Sequence, residues 1–224
     1  SESCSQIPVE AEFFSSLLEE LPLKARIHIL EDGGEKKIIN GVSPQFAMTK
    51  MDDENHPDAE IFVEDDIAKI WLSQILSAHH SDYFLRVSIV PFGSANIGRA
   101  LGQMKKDERF PRPTLVCLDG DQSDADGCIL LPGEDAPEYV VFGALRHHNW
   151  RNLWTRVTRD ISIVTDACDR AMTLPNHHDW ITEAANELKL GREILWQAMC
   201  SEWAELTPKR DTQYIRDEII DLLG

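Results

Sequence analysis

From Glu60 onward the chain alternates between short apolar runs and amphipathic stretches, and that rhythm leaves few folds open. Ile61-Phe62-Val63 predicts a strand, and in residues 67–79 the side chains of Ile67, Ile70, Trp71, Gln74 and Ile75 recur at helical spacing. The pattern then repeats: LRVSIVPF predicts a second strand, and residues 94–106 a helix reached through Phe92-Gly93-Ser94. TLVCLD is the third expected strand, CILLPG a fourth, and residues 136–145 a further helix. Strands joined by helical crossovers form a parallel α/β sheet with right-handed connections, covered on both faces.

The flanks read differently. Residues 9–21 carry apolar positions at helical spacing up to Pro22, and ARIHIL and KKIINGV predict a β-hairpin across an acidic Asp-Gly-Gly turn. Residues 51–59 read as a polar linker. After Arg146 the strand signal fades, apart from an ambiguous Ile161-Ser162-Ile163-Val164. Residues 179–203 form a long amphipathic pattern with a break near Gly191, and residues 211–223 another. The expected organisation is therefore 1–59 as helix and hairpin connection, 60–146 as the α/β core, and 147–224 as a helical portion. Trp150, Trp154, Trp180, Trp196 and Trp203 all fall in that last portion, where they read first as core and second as a base-stacking platform.

Two of the strands end in acid. Phe62-Val63 runs into Glu64-Asp65-Asp66, and Cys117-Leu118 into Asp119-Gly120-Asp121. In open α/β sheets the carboxyl ends of the strands line the crevice where ligands bind. Carboxylates gathered there repel one another, and a hard divalent cation held by oxygen is the usual remedy. Glu138, in the first turn of a later helix, is a further candidate. The competing reading of Asp119 to Asp124 is an acidic surface loop, and that of Asp65 and Asp66 is helix capping.

These residues carry a resemblance. VEDDIAKIWLSQIL, RVSIVPFGSANIGRAL and LVCLDGDQ resemble the three signatures of a Toprim domain: a strand-end Glu, a Gly-containing strand-to-helix turn and a strand-end Asp-x-Asp. LPGEDAPEYVVFGAL and NHHDWITEAANEL are similar to the region after the Asp-x-Asp in the overcoming-lysogenization-defect (OLD) nuclease family, over residues 60–205 in all. The resemblance implies a Rossmann-like, mainly parallel Toprim sheet and DNA phosphodiester hydrolysis with one or two Mg2+ or Mn2+ ions. It makes Glu64, Asp119 and Asp121 the matching ligands and Glu138 a contributor to a second ion. Lys189 becomes the choice for a basic residue at the scissile phosphate, with Arg192 its neighbouring alternative. It also implies an ABC-type ATPase domain elsewhere in a longer protein, which the start at Ser1 without an initiator Met also leads one to expect, and it is compatible with a full-length homodimer. Two positions depart from the pattern: Ala68 stands where a second acid is expected, so Asp65 or Asp66 has to substitute, and Ala136 stands where a Ser is frequent.

Other readings remain. VEDD and Asp119 also resemble the acidic pair and phospho-acceptor of a response-regulator receiver, although GDQSDADG replaces its usual Met-Pro turn and no Lys-Pro closes a fifth strand. A non-catalytic interaction module is the third class, compatible with the net charge of −17. That charge argues against broad nucleic-acid binding through a cationic surface, but not against a locally neutralised metal site. Zinc held by His147/His148, His177/His178 and Cys168 has no standard spacing, and His178-Asp179 reads first as a helix start. The five cysteines are odd in number and lack a C-x-x-C pair, which predicts a reducing, cytoplasmic setting. No apolar run approaches the roughly 20 residues a membrane helix needs.

Overall fold

The computed structural model describes residues 26–30, 36–40 and 57–223. Two compact units divide the chain, Ser1–Ala59 and Glu60–Gly224. In the first, β1 (Arg26–Leu30) and β2 (Lys36–Asn40) pair antiparallel with Arg26 opposite Asn40, which is the hairpin the alternating pattern predicts. The helix expected over residues 9–21 lies outside the described residues.

The second unit is built on a four-stranded sheet. It contains β3 (Ala59–Val63), β4 (Val87–Pro91), β5 (Thr114–Leu118) and β6 (Ile129–Leu130), in the spatial order β4-β3-β5-β6. β3 and β6 both run parallel to β5. The Phe92 and Gly93 amides donate to the carbonyls of Val63 and Glu64, so β3 and β4 also end side by side. All five residues of β5 are buried, as a central strand covered on both faces requires. The edge strand β6 is reduced to two residues, a length that offers little template for unwanted pairing.

Helices α1 (Asp66–His79) and α3 (Ala95–Lys106) are the first two crossovers, with a single turn, α2 (Ser81–Phe84), before β4. After β6 come α4 (Pro137–His147), α5 (Leu153–Val157), α6 (Ile161–Ala171), α7 (Trp180–Leu188), α8 (Arg192–Leu206) and α9 (Gln213–Leu223). Among the described residues no helix is long and apolar enough to cross a membrane.

The helical portion belongs to the same compact unit as the sheet, and α1 is its seam. Trp71 on α1 meets Trp203 on α8 edge to face at 5.0 Å, and the Trp196 indole donates to the Ile67 carbonyl at 3.0 Å. At the other end of α1, the His79 ring bonds the Ala204 carbonyl at 2.7 Å and the Thr212 hydroxyl at 2.8 Å. Trp150, Trp180, Trp196 and Trp203 are buried, which fits their reading as core, whereas Trp154 is partly exposed. Truncating Trp71 to Ala would cost about 3–5 kcal/mol through the cavity it leaves.

The ambiguous Ile161-Ser162-Ile163-Val164 is helical. Asp160 caps it by accepting the Ser162 amide at 2.8 Å, and Val164 turns inward while Ile161 and Ile163 stay half exposed. The break near Gly191 also appears, but the left-handed residue that ends α7 is Lys189, at φ +54°, and Gly191 instead precedes α8.

Candidate metal centre

Strand order reverses around β3, because β4 lies on one side of it and β5 on the other. Clefts open at the carboxyl ends of strands at such a switch point. Register places Phe62 opposite Val116, so Glu64 falls one residue short of the level of Asp119. The two acids that terminate these strands therefore meet in one crevice.

The turn from β4 into α3 holds Glu64 in place. Gly93, at φ +102°, adopts a conformation an L side chain would resist, and brings the start of α3 against the end of β3. The Ala95 amide then donates to Glu64 Oε1 at 3.1 Å, while Glu64 Oε2 is buried and has no hydrogen-bond partner. Burial raises the Glu64 pKa, the Ala95 amide opposes the rise, Asp65 and Asp121 add to it, and Arg99 counters.

Asp119 is in the more extreme position. Its Oδ1 is buried without a partner. Burial, then the charges of Glu64, Asp65, Asp121 and Glu138, push its pKa up to about 8. Gly120 permits the sharp exit: a Cβ there would lie 2.5 Å from the Gly133 carbonyl oxygen. That close approach presses the Asp-x-Asp loop against the segment that leads into α4 and Glu138. Asp121 is exposed and accepts the Gln122 amide at 2.9 Å, and Gln122 in turn accepts Arg99 at 3.2 Å.

Asp65 is the N-cap of α1 and accepts the Ala68 amide at 2.9 Å. Ala68 itself is fully buried, so the position expected to carry a second acid faces the core in this chain. Glu138, 2% exposed, sits in the first turn of α4, and its Oε1 meets His178 Nδ1 at 3.0 Å.

The structure thus gathers Glu64, Asp65, Asp119 and Asp121, with Glu138 close enough for its charge to reach Asp119. Lys189 is the exposed, left-handed C-cap of α7. Arg192, by contrast, shares a hollow of about 580 Å³ with Asp65 and Asp66. Arg99 escaped the sequence reading. Its signal was a cation one turn into a helix whose start touches a strand-end Glu. The Glu138–His178 contact was equally hidden, because 40 residues separate the partners. His147 and His148 end α4, at the opposite pole from Glu138, so the two histidine pairs do not converge.

Two buried carboxylate oxygens without donors, at adjacent strand ends, fit a hard cation that takes oxygen ligands. Compared with known protein families, curated proteins and solved structures, the chain matches none of them.

Proposed function

We propose that this chain is a divalent-metal-dependent DNA endonuclease of the Toprim type, with Glu64 and Asp119 as its principal ligands. The observation that carries the reading is the pair of buried, unpartnered oxygens, Glu64 Oε2 and Asp119 Oδ1, at the switch point of a parallel sheet. Clustered acids with raised pKa values in a crevice are a mark of functional sites. Asp121 and Asp65 complete the oxygen set, and Glu138 borders it. When bound, a Mg2+ or Mn2+ ion supplies Lewis-acid polarisation of a phosphate and makes water acidic at neutral pH.

The remaining roles fall to the chain's own groups. The Ala95 amide fixes one Glu64 oxygen and leaves the other free. Arg99, through Gln122, orients Asp121 and offsets part of the negative field. Arg192, which shares a hollow with Asp65 and Asp66, is the cation we assign to the phosphate, with Lys189 its neighbouring alternative. The net charge of −17 confines DNA contact to such local cations, or to a partner such as an ATPase domain on a longer polypeptide. Four free thiols among the described residues favour a reducing, cytoplasmic setting.

Nicking of supercoiled plasmid with Mg2+ or Mn2+ tests the reading. Activity should vanish with EDTA and fall roughly 10³-fold in Asp119→Ala, the loss of several kcal/mol of charge stabilisation at about 1.36 kcal/mol per tenfold. Nicking that survives the substitution rejects the site. Labelling of Asp119 by acetyl phosphate without nicking would instead identify a receiver.

A further inference from the structure

Beyond the acidic crevice, the geometry points to a second, chemically different metal site formed by Glu138, His177 and His178. One ligand atom from each lies within 4.8 Å of the other two. His178 Nδ1 and Glu138 Oε1 are already 3.0 Å apart. Ligands on an ion with bonds of about 2.0–2.1 Å at tetrahedral angles are separated by roughly 3.4 Å. For all three to share an ion, the widest gap, up to 4.8 Å, has to close toward that spacing.

The site is built rather than accidental. Glu138 is buried in the first turn of α4, and among the described residues its ion-pair partner is His178. A buried carboxylate needs a positive counterpart, and a bound cation shared with the two rings would supply one. The two histidines lie in a 3-10 turn whose position is fixed from both sides. Asn176 Oδ1 accepts the His178 amide, and Trp180, buried just after the turn, donates its indole N–H to the Leu174 carbonyl at 2.9 Å. Tyr139, next to Glu138 on α4, meets the His177 ring at a tilt at 4.7 Å and Trp180 edge to face at 4.8 Å. These ring contacts tie the histidine turn to the helix that supplies the carboxylate.

Two imidazoles and one carboxylate suit borderline ions such as Zn2+, Co2+ or Ni2+, whereas Mg2+, Ca2+ and Mn2+ prefer oxygen. The ion at this site is therefore a transition metal, with a coordination position left for solvent. It stands beside the Asp119 crevice and is separate from it in ligand chemistry. The site does not depend on the nuclease reading, and its test does not use catalysis.

The probe is Co2+ added to the purified, metal-stripped chain and followed by visible absorption. The nitrogen-containing site should give the strong ligand-field bands of a four- or five-coordinate ion, at one equivalent. Zn2+ should erase them and excess Mg2+ should not. His177→Ala and His178→Ala should each weaken Co2+ binding at least about tenfold. Asp119→Ala should leave the bands unchanged. His178→Ala also takes the partner of buried Glu138, so its loss of bands counts only with an unchanged circular dichroism spectrum, whereas His177→Ala leaves that pair intact. Bands that persist in the His177→Ala/His178→Ala double variant overturn the proposal, as do bands lost in Asp119→Ala or displaced by Mg2+. Faint six-coordinate bands alone would also overturn it.

Discussion

Glu202 and Asp119 are both acids drawn away from water, and the chain treats them in opposite ways. Glu202, on α8, is 1% exposed, and its carboxylate takes a 2.7 Å bond from Arg156 Nε. The same guanidinium reaches Glu205 at 2.6 Å and the Ser201 hydroxyl at 3.0 Å. Asp119 has no such partner on its buried oxygen, and the charges that shift it are those of other acids. A fold that only needed to bury a carboxylate had a working solution at Glu202. Its absence at Asp119 leaves a buried carboxyl oxygen without a donor, which is the position the proposed cation would fill.

The sharpest way to break this contrast is to remove the compensation on the helical side. Arg156→Met leaves Glu202 buried with an uncompensated charge, and should destabilise the protein by about 3 kcal/mol. Denaturant unfolding would show it as a lower midpoint at unchanged slope. Restoration by a second change, Glu202→Leu, would confirm that the cost lies in the stranded charge. If Arg156→Met is neutral, the two acids are not treated differently after all.

In the crevice the sign reverses. Between its ordinary pKa of 3.8 and about 8, Asp119 keeps a proton in the folded chain that it has released in the unfolded one. The folded state then binds more protons, so stability of the metal-free protein should fall as pH rises across that window and level off above it. Glu64, shifted upward for related reasons, adds to the same slope. Asp119→Asn should flatten the dependence and raise the metal-free melting temperature at about pH 9 by about 4 °C, equivalent to roughly 1–2 kcal/mol. Mg2+ should stabilise the parent chain increasingly as pH rises, and the variant hardly at all. A metal-free melting curve independent of pH from about 4 to 8 would show that Asp119 is solvated like any surface acid.

How much of this lay in the sequence differs between the two regions for a physical reason. Hydrophobic rhythm is a local signal, so the order of strands and helices in residues 60–146 could be read directly, as could the acids that end β3 and β5. The ambiguous Ile161-Ser162-Ile163-Val164 could not, because two of its three β-branched apolar side chains remain half exposed and only the Asp160 cap and the inward Val164 decide for helix. Compensation is not local at all. Arg156 and Glu202 are 46 residues apart, and Glu138 and His178 are 40 apart, and no spacing rule joins them. Ala68 was legible as a departure from the expected pattern, but its burial in the core was not.

Asp65 lies between the two regimes, and it offers the finest test of the comparison. Its side chain caps α1 by accepting the Ala68 amide, which is compensation of the ordinary kind, yet its charge also bears on both Glu64 and Asp119. Asp65→Ala removes cap and charge together and should cost at most about 1 kcal/mol, because loss of the cap is partly offset by relief of repulsion. Asp65→Ser keeps a capping oxygen and removes only the charge, so thermal stability should stay within about 0.5 kcal/mol of the parent. The informative readout is Mn2+ affinity by calorimetry. If Asp65 is a cap alone, the Ser variant binds Mn2+ as the parent does. If it replaces the acid missing at Ala68, affinity falls at least about tenfold while stability holds. The second result is the expected one, because a cap on an exposed helix start would not need to sit within reach of two carboxylates that are already short of positive charge.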